Sequence, residues 1–278
     1  MVEATTGSQR TANTGRDFVL SVEEIVFLMG YVGGVEAAAG YLTAILGQLP
    51  AEELMGRITA ASHSLLSRGL LTVDTANTIT LNPVLDQCIH AIVNGEDTIR
   101  YSTMAAGVEK TVTFFLSGTS PVRHELEQDV VSHVQLLKSN EELVEQLFEL
   151  VQDDRPIINN GSTPVGVIGA EQLRQARLTS DSSSVAELAA ELRQKLPGSV
   201  AEAVAVTMKN SSTQWGTVMR LEPGPGEVVE ANKAFFTATE QTGGWVFDLT
   251  ANSNWADVYR LNKKAIQQAA RRLLNDIP

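Results

Sequence analysis

The chain has one cysteine, Cys88, so it can form neither an intrachain disulfide nor a cysteine-rich zinc or iron–sulfur site. That count fits a reducing compartment. Aromatic residues make up only 5%. Leu, Val, Ile and Ala must then build the core, which suits helices laid on a sheet better than an aromatic-rich or disulfide-stapled fold. No apolar run approaches the roughly 20 residues that span a bilayer, and the N-terminus carries no hydrophobic signal core. Basic residues are few: 21 Lys and Arg against 33 Asp and Glu, a formal net charge of −12. This balance disfavours a polyphosphate partner and favours solubility. The expectation is a cytoplasmic protein with neither nucleic acid nor membrane as partner. At 278 residues it can bury a full core as one large domain or two ordinary ones.

The clearest start and stop signals lie between Pro50 and Val93. Leu54, Ile58, Ala61 and Leu65 lay one apolar stripe on a helix that opens at Pro50. Gly69 stops it by taking the left-handed position after the last turn, where it avoids a Cβ clash. Leu71 to Leu81 reads as a small extended wing. Asn82 caps a further helix with Pro83 in its first turn and Leu85, Cys88, Ile89 and Ile92 on its buried face.

Residues 1–17 form an aperiodic, Thr-, Gly- and Ser-rich stretch expected to be a disordered tail. An N-terminal α/β half is expected over 18–152. Ser21 and Glu24 make a capping box with Leu20 and Ile25 as its staple, and Gly33-Gly34 ends or kinks that helix. Val35 to Leu46 is mostly apolar and is expected deep in a helical layer. Thr98 to Met104 and Lys110 to Ser117 alternate as two strands of a hairpin. A helix is expected from Pro121, striped by Val122, Leu126, Val130, Val134 and Leu137. Ser139 with Glu142 starts another, over Asn140 to Val151. Residues 153–164 are the best linker or long loop. The C-terminal half, 165–278, opens with a short strand over Val165 to Ile168 and a helix from Ser184 to about Leu196. Ala203 to Lys209, Trp215 to Glu222, Lys233 to Thr239 and Trp245 to Thr250 then read as a four-strand meander. A final helix is capped by Asn254 and striped by Val258, Leu261, Ala265, Ala269 and Leu273. Both halves thus place antiparallel strands before a long amphipathic helix, an α+β class with two related halves.

No chemistry is legible. His124-Glu125 fails the zinc-helix pattern because Gln128 stands where a second ligand is needed. His124 and His133, nine apart, would face opposite sides of a helix, and His63 and His90 lie off their apolar stripes. No Gly-x-Ser-x-Gly elbow or Walker sequence occurs. Gly30, Gly33 and Gly34 follow a helix, unlike a dinucleotide fingerprint, and Glu125, Glu127 and Asp129 read as a solvated face. Neither a cofactor nor a catalytic residue is expected. Helix, wing and helix resemble a winged-helix regulator, yet residues 1–100 hold five Lys or Arg against eleven Asp or Glu, net −6, whereas duplex affinity rests on phosphate neutralisation. A regulator and an unrecognised hydrolase stay open as alternatives.

Leu20, Ser21 and Glu24, then Leu66-Ser67-Arg68-Gly69-Leu70-Leu71 with Asp74, and finally Gly243-Gly244-Trp245-Val246-Phe247 before a closing helix, together resemble the type VII (ESX) secretion-associated chaperone family. The resemblance implies a quasi-two-fold pair of mixed α/β halves in a cytosolic protein that binds a helical secretion substrate and catalyses nothing. It also implies a partner-binding loop between sheet strands, here Pro223, Gly224, Pro225 and Gly226. Two Pro-Gly pairs there are expected to hold the connection off the sheet.

Overall fold

A computed structural model describes residues 15–95, 97–105, 108–118, 120–152, 163–180, 182–210, 212–223, 229–240 and 243–274. In chain order, β1 (Asp17–Ser21) leads into α1 (Val22–Tyr31), α2 (Val35–Leu46) and α3 (Ala51–Ser67). The wing is β2 (Leu71–Val73) with β3 (Ile79–Leu81), and α4 (Pro83–Asn94) follows. Next come β4 (Thr98–Ala105), β5 (Val108–Phe115), β6 (Val122–Glu127), β7 (Val131–Leu136) and α5 (Asn140–Gln152). Then β8 (Gly166–Gly169) precedes α6 (Ala170–Thr179), α7 (Val185–Leu192) and α8 (Gly198–Lys209). The chain finishes with β9 (Gln214–Pro223), β10 (Val229–Glu240), β11 (Gly243–Asp248), β12 (Trp255–Arg260) and α9 (Lys263–Leu274). The class is α+β, with antiparallel strands covered by helices.

The fold divides into two compact units, one within Met1–Val93 and Leu126–Leu136, the other within Asn94–Glu125 and Leu137–Pro278. In the first, β1 pairs antiparallel with β7, with Phe18 opposite Val134 and Leu20 opposite Ser132. The predicted capping box of α1 forms in both directions: Glu24 N donates to Ser21 Oγ at 3.1 Å and Ser21 N to Glu24 Oε2 at 2.9 Å. Gly69 ends α3 at φ +66°. Leu70 N then donates to Leu65 O and Gly69 N to Leu66 O, the paired bonds of a left-handed helix stop. Asn82 Oδ1 accepts from Val84 N and Leu85 N, capping α4 as expected. The helix α2 is not deep: Ala38 is its one buried residue. Its apolar composition implied a burial that no element among the described residues supplies.

In the second unit the strand order is β6-β5-β4-β9-β10-β11-β12-β8, with every pair described by register antiparallel. One face packs Ile99, Phe114, Val218, Phe235, Val246 and Tyr259 against Leu143, Leu147, Ile266 and Leu273 of α5 and α9. On the other face Trp245, Phe247, Ala256 and Val258 lie against Leu173, Leu188, Val204 and Met208 of α6 to α8. All six residues of β11 are therefore buried, as a strand covered on both faces requires. Gly244 is dictated by close approach, since a Cβ there would sit 2.3 Å from Ala238 O. Each tryptophan carries a cation over its ring: Arg177 on Trp215, Arg260 on Trp245 and Lys195 on Trp255, at 4.9, 3.9 and 5.1 Å.

Several expected elements differ. The helix expected from Pro121 is two strands, β6 and β7, with Gln128 and Asp129 at φ 51° and 58° in the turn between them. The four-residue steps from Val122 through Leu126 and Val130 to Val134 satisfy a period of 2 as well as 3.6, and β-branched residues settle the choice. Ala203 to Lys209 belongs to α8, whose buried Ala201, Val204, Ala205 and Met208 have helical spacing. The fourth meander strand is instead β12, which takes Val258 out of the final helix. Asn262, not Asn254, caps α9, its Oδ1 accepting from Ala265 N at 2.9 Å. The helix from Ser184 stops at Leu192, and α6 had no expectation. Among the described residues no helix is long and apolar enough to cross a membrane.

Candidate functional site

The alternation of β1 decides which of its backbone groups face away from β7. Leu136 N donates to Arg16 O and Val22 N to Val130 O, so by parity Phe18 and Leu20 bond to β7 while Val19 and Ser21 turn their N–H and C=O outward. Those outward groups meet side chains. Val19 O accepts from Arg68 Nη2 at 2.7 Å. Arg68 Nη1 also donates to both oxygens of Glu24, at 3.0 and 2.9 Å, and Glu24, only 4% exposed, takes the Ser21 N–H. Beside this cluster Arg57 bridges Glu23 at 3.1 Å and Glu53 at 2.7 Å. Burial pushes the Glu23 carboxyl up, but its backbone, Arg57 and Ser21 hydrogen bonds outweigh that and hold it below the usual carboxylate range. Between β1, the start of α1 and α3 lies a groove of about 430 Å³ lined by Val19, Ser21, Glu23, Arg57, Ala60 and Ser64, among others.

Both basic residues on or beside α3, Arg57 and Arg68, are thus engaged by carboxylates of the same unit. A helix reading DNA would need such charges for phosphate.

Arg220 and Asp248 each centre a buried charged cluster in the second unit. Arg220, 4% exposed, donates to Leu273 O at 3.2 Å and Asp97 Oδ2 at 2.9 Å. Its Nε lies 2.9 Å from Glu222 Oε1, an ion pair without hydrogen-bond alignment. Asp248, also buried, accepts from Arg272 at 2.8 Å and from Thr250 N at 2.9 Å. Both clusters tie sheet strands to α9. The histidines do not converge. His63 is exposed, His90 lies 3.7 Å from Asp86, and His133 bonds Glu127 at 2.8 Å. With β6 and β7 as strands, the helical-wheel separation of His124 from His133 no longer applies; His124 stands opposite Thr113. Among the described residues no group of three or more His, Cys, Asp or Glu is placed to hold a metal ion.

Of the residues singled out between the meander strands, Pro223 ends β9 opposite Val229 of β10, while Gly224, Pro225 and Gly226 lie outside the described residues. Pro223 therefore continues the strand ladder that it was expected to leave. The groove was not foreseen. Its key bond joins Arg68 to Val19, 49 residues apart, and no local pattern marks such a contact.

The class of protein that this fold defines is an α+β protein with an antiparallel sheet clad by helices. Its fold is similar to that of the Mycobacterium tuberculosis type VII secretion system chaperone EspG5, solved in complex with a PE25–PPE41 dimer, at a TM-score of 0.66 and 11% identity, covering 94% of this chain and 97% of that one. No curated protein matches in sequence. The family described as Uncharacterised protein YfjC matches residues 17–270, and the chain belongs to it.

Proposed function

We propose that this protein is a chaperone-like, non-catalytic protein that acts in the cytoplasm by binding a helical secreted protein. The supporting observation is the extent of the shared fold, which covers 94% of this chain and 97% of a chaperone held with its protein dimer. Correspondence on that scale reaches both units, whereas a winged-helix regulator would account only for the first. The engaged Arg57 and Arg68 favour a protein partner over DNA. The connection Pro223, Gly224, Pro225 and Gly226 is the proposed partner contact. A connection between long strands can meet a docked chain without disturbing the core.

The test is affinity purification of the tagged chain from its native host, then reconstitution of the recovered protein with the purified chain. A discrete stoichiometric complex that keeps the partner soluble is expected. Absence of any stoichiometric protein, or recovery of nucleic acid in its place, overturns the reading. Replacing Pro223 to Gly226 with a short Gly-Ser turn is expected to weaken that complex. Unchanged affinity in a folded variant would reduce the connection to a plain turn.

A further inference from the structure

We infer that the outer edge of β1 is a docking site for an extended peptide segment of a partner protein, which adds to the sheet as a strand across Val19. This goes beyond the proposed contact at Pro223 to Gly226 and does not depend on it. Among the described residues β1 has one strand neighbour, β7. The Val19 N–H and C=O point away from that neighbour, and the Val19 side chain is 51% exposed. An incoming strand needs one donor and one acceptor at that position, and both are present.

Arg68 stands in for the missing strand. Its Nη2 occupies the Val19 carbonyl as the N–H of an added strand would, blunting an edge that would otherwise pair with any chain it met. The arrangement is reversible. The guanidinium is a rigid plane, so withdrawing Nη2 pivots the group about Nη1, which stays beside Glu24; the bond to Val19 is lost, and the buried carboxylate keeps its cation. Ser21 N stays with Glu24 throughout. The entering segment exchanges an arginine N–H for a backbone N–H and gains the Val19 donor.

Shape and charge select the occupant. The groove beside Val19 measures about 430 Å³ and is walled by α3, which presents the small side chains of Ala60 and Ser64. Within its turns a helix has its backbone groups bonded to one another, so it presents no row of them along its length for Val19 to pair with. Small or β-branched residues match the Ala60 and Ser64 wall and the Val19 side chain. The net −6 of residues 1–100 favours a segment without acidic residues.

The probe is a phage-displayed library of random dodecapeptides, selected on the full chain and compared on two variants. Val19→Pro removes the outward N–H without touching the β7 ladder, to which Val19 contributes no bond. Ala60→Phe fills the groove and leaves the edge bonds alone. Enriched peptides are expected to be acid-poor and rich in β-branched residues, and to lose affinity by about tenfold or more on both variants. Amide exchange at Val19 should slow when they bind. If Val19→Pro fails to fold by circular dichroism, Ala60→Phe decides. A selection that enriches nothing, or peptides that bind the folded variants as tightly as the parent, overturns the inference.

Discussion

Arg220→Met tests whether the polar cluster beneath α9 holds the second unit together. The guanidinium donates to the carbonyl of buried Leu273, in the last described turn of α9. Methionine keeps the apolar stem and removes the donors. A buried carbonyl left unmet costs about 1–2 kcal/mol. Asp97 and Glu222 lose their cation as well, but their side chains are 29% and 31% exposed, so water can replace part of what is lost and the further cost is about 1 kcal/mol. The total, about 2–3 kcal/mol, reaches only the lower end of the range for removing one partner of a buried pair, as the partial exposure of Asp97 and Glu222 requires. Urea unfolding followed by tryptophan fluorescence is the assay. All three tryptophans, Trp215, Trp245 and Trp255, lie in the same unit as Arg220, so the signal reports that unit. A double-mutant cycle with Asp97→Asn should return a coupling energy of about 1 kcal/mol. A loss below about 1 kcal/mol for Arg220→Met, with unchanged slope, would refute the reasoning.

Three further outcomes are expected. Gly69→Ala, at φ +66°, should lower stability by about 1 kcal/mol through backbone strain. Far-UV circular dichroism during denaturation is the readout, because no tryptophan lies in Met1–Val93; an unmoved midpoint would contradict the left-handed stop. Burial, with the nearby Asp17 charge, pushes the Cys88 thiol up to about 12, so iodoacetamide at pH 8 should label the unfolded chain far faster than the folded one. Only the unfolded thiol ionises near its ordinary value, so the Cys88 contribution to stability should fall as pH rises from about 9 toward 12, and Cys88→Ala should flatten that slope; rapid labelling of the native protein would contradict it. The protein should show no salt-sensitive binding to duplex DNA, and micromolar affinity at low ionic strength that weakens steeply with added salt would contradict the charge argument.

Where chemistry is local, the residues announce the structure. Ser21 with Glu24, Gly69 and Asn82 each satisfy orphan backbone groups within a few positions, and all four act as their types imply. Ambiguity enters where two periods coincide. Val122, Leu126, Val130 and Val134 fit both a helix and a strand, and Ala203-Val204-Ala205-Val206 alternates although a helix buries Val204 and Ala205. In the second case Pro197, the residue before α8, was the better guide. Ser139 is an intermediate case: its Oγ accepts from Glu142 N as expected, but the Glu142 carboxylate reaches Lys138 N at 2.6 Å. The groove at β1 depends on which edge is left uncovered and on a side chain 49 residues away. Neither is encoded in spacing.

The strand β7 has a consequence for synthesis on the ribosome. It supplies the hydrogen-bonding partner of Phe18 and Leu20 but is translated more than a hundred residues after them, with β4, β5 and β6 in between. The nascent first unit therefore emerges with one side of its earliest strand unmet until Leu136 has left the exit tunnel. A chain truncated after Val93 would carry two open edges on β1 in place of one. Such a fragment is expected to aggregate on expression, whereas the same fragment co-expressed with residues 94–278 can recover its missing strand.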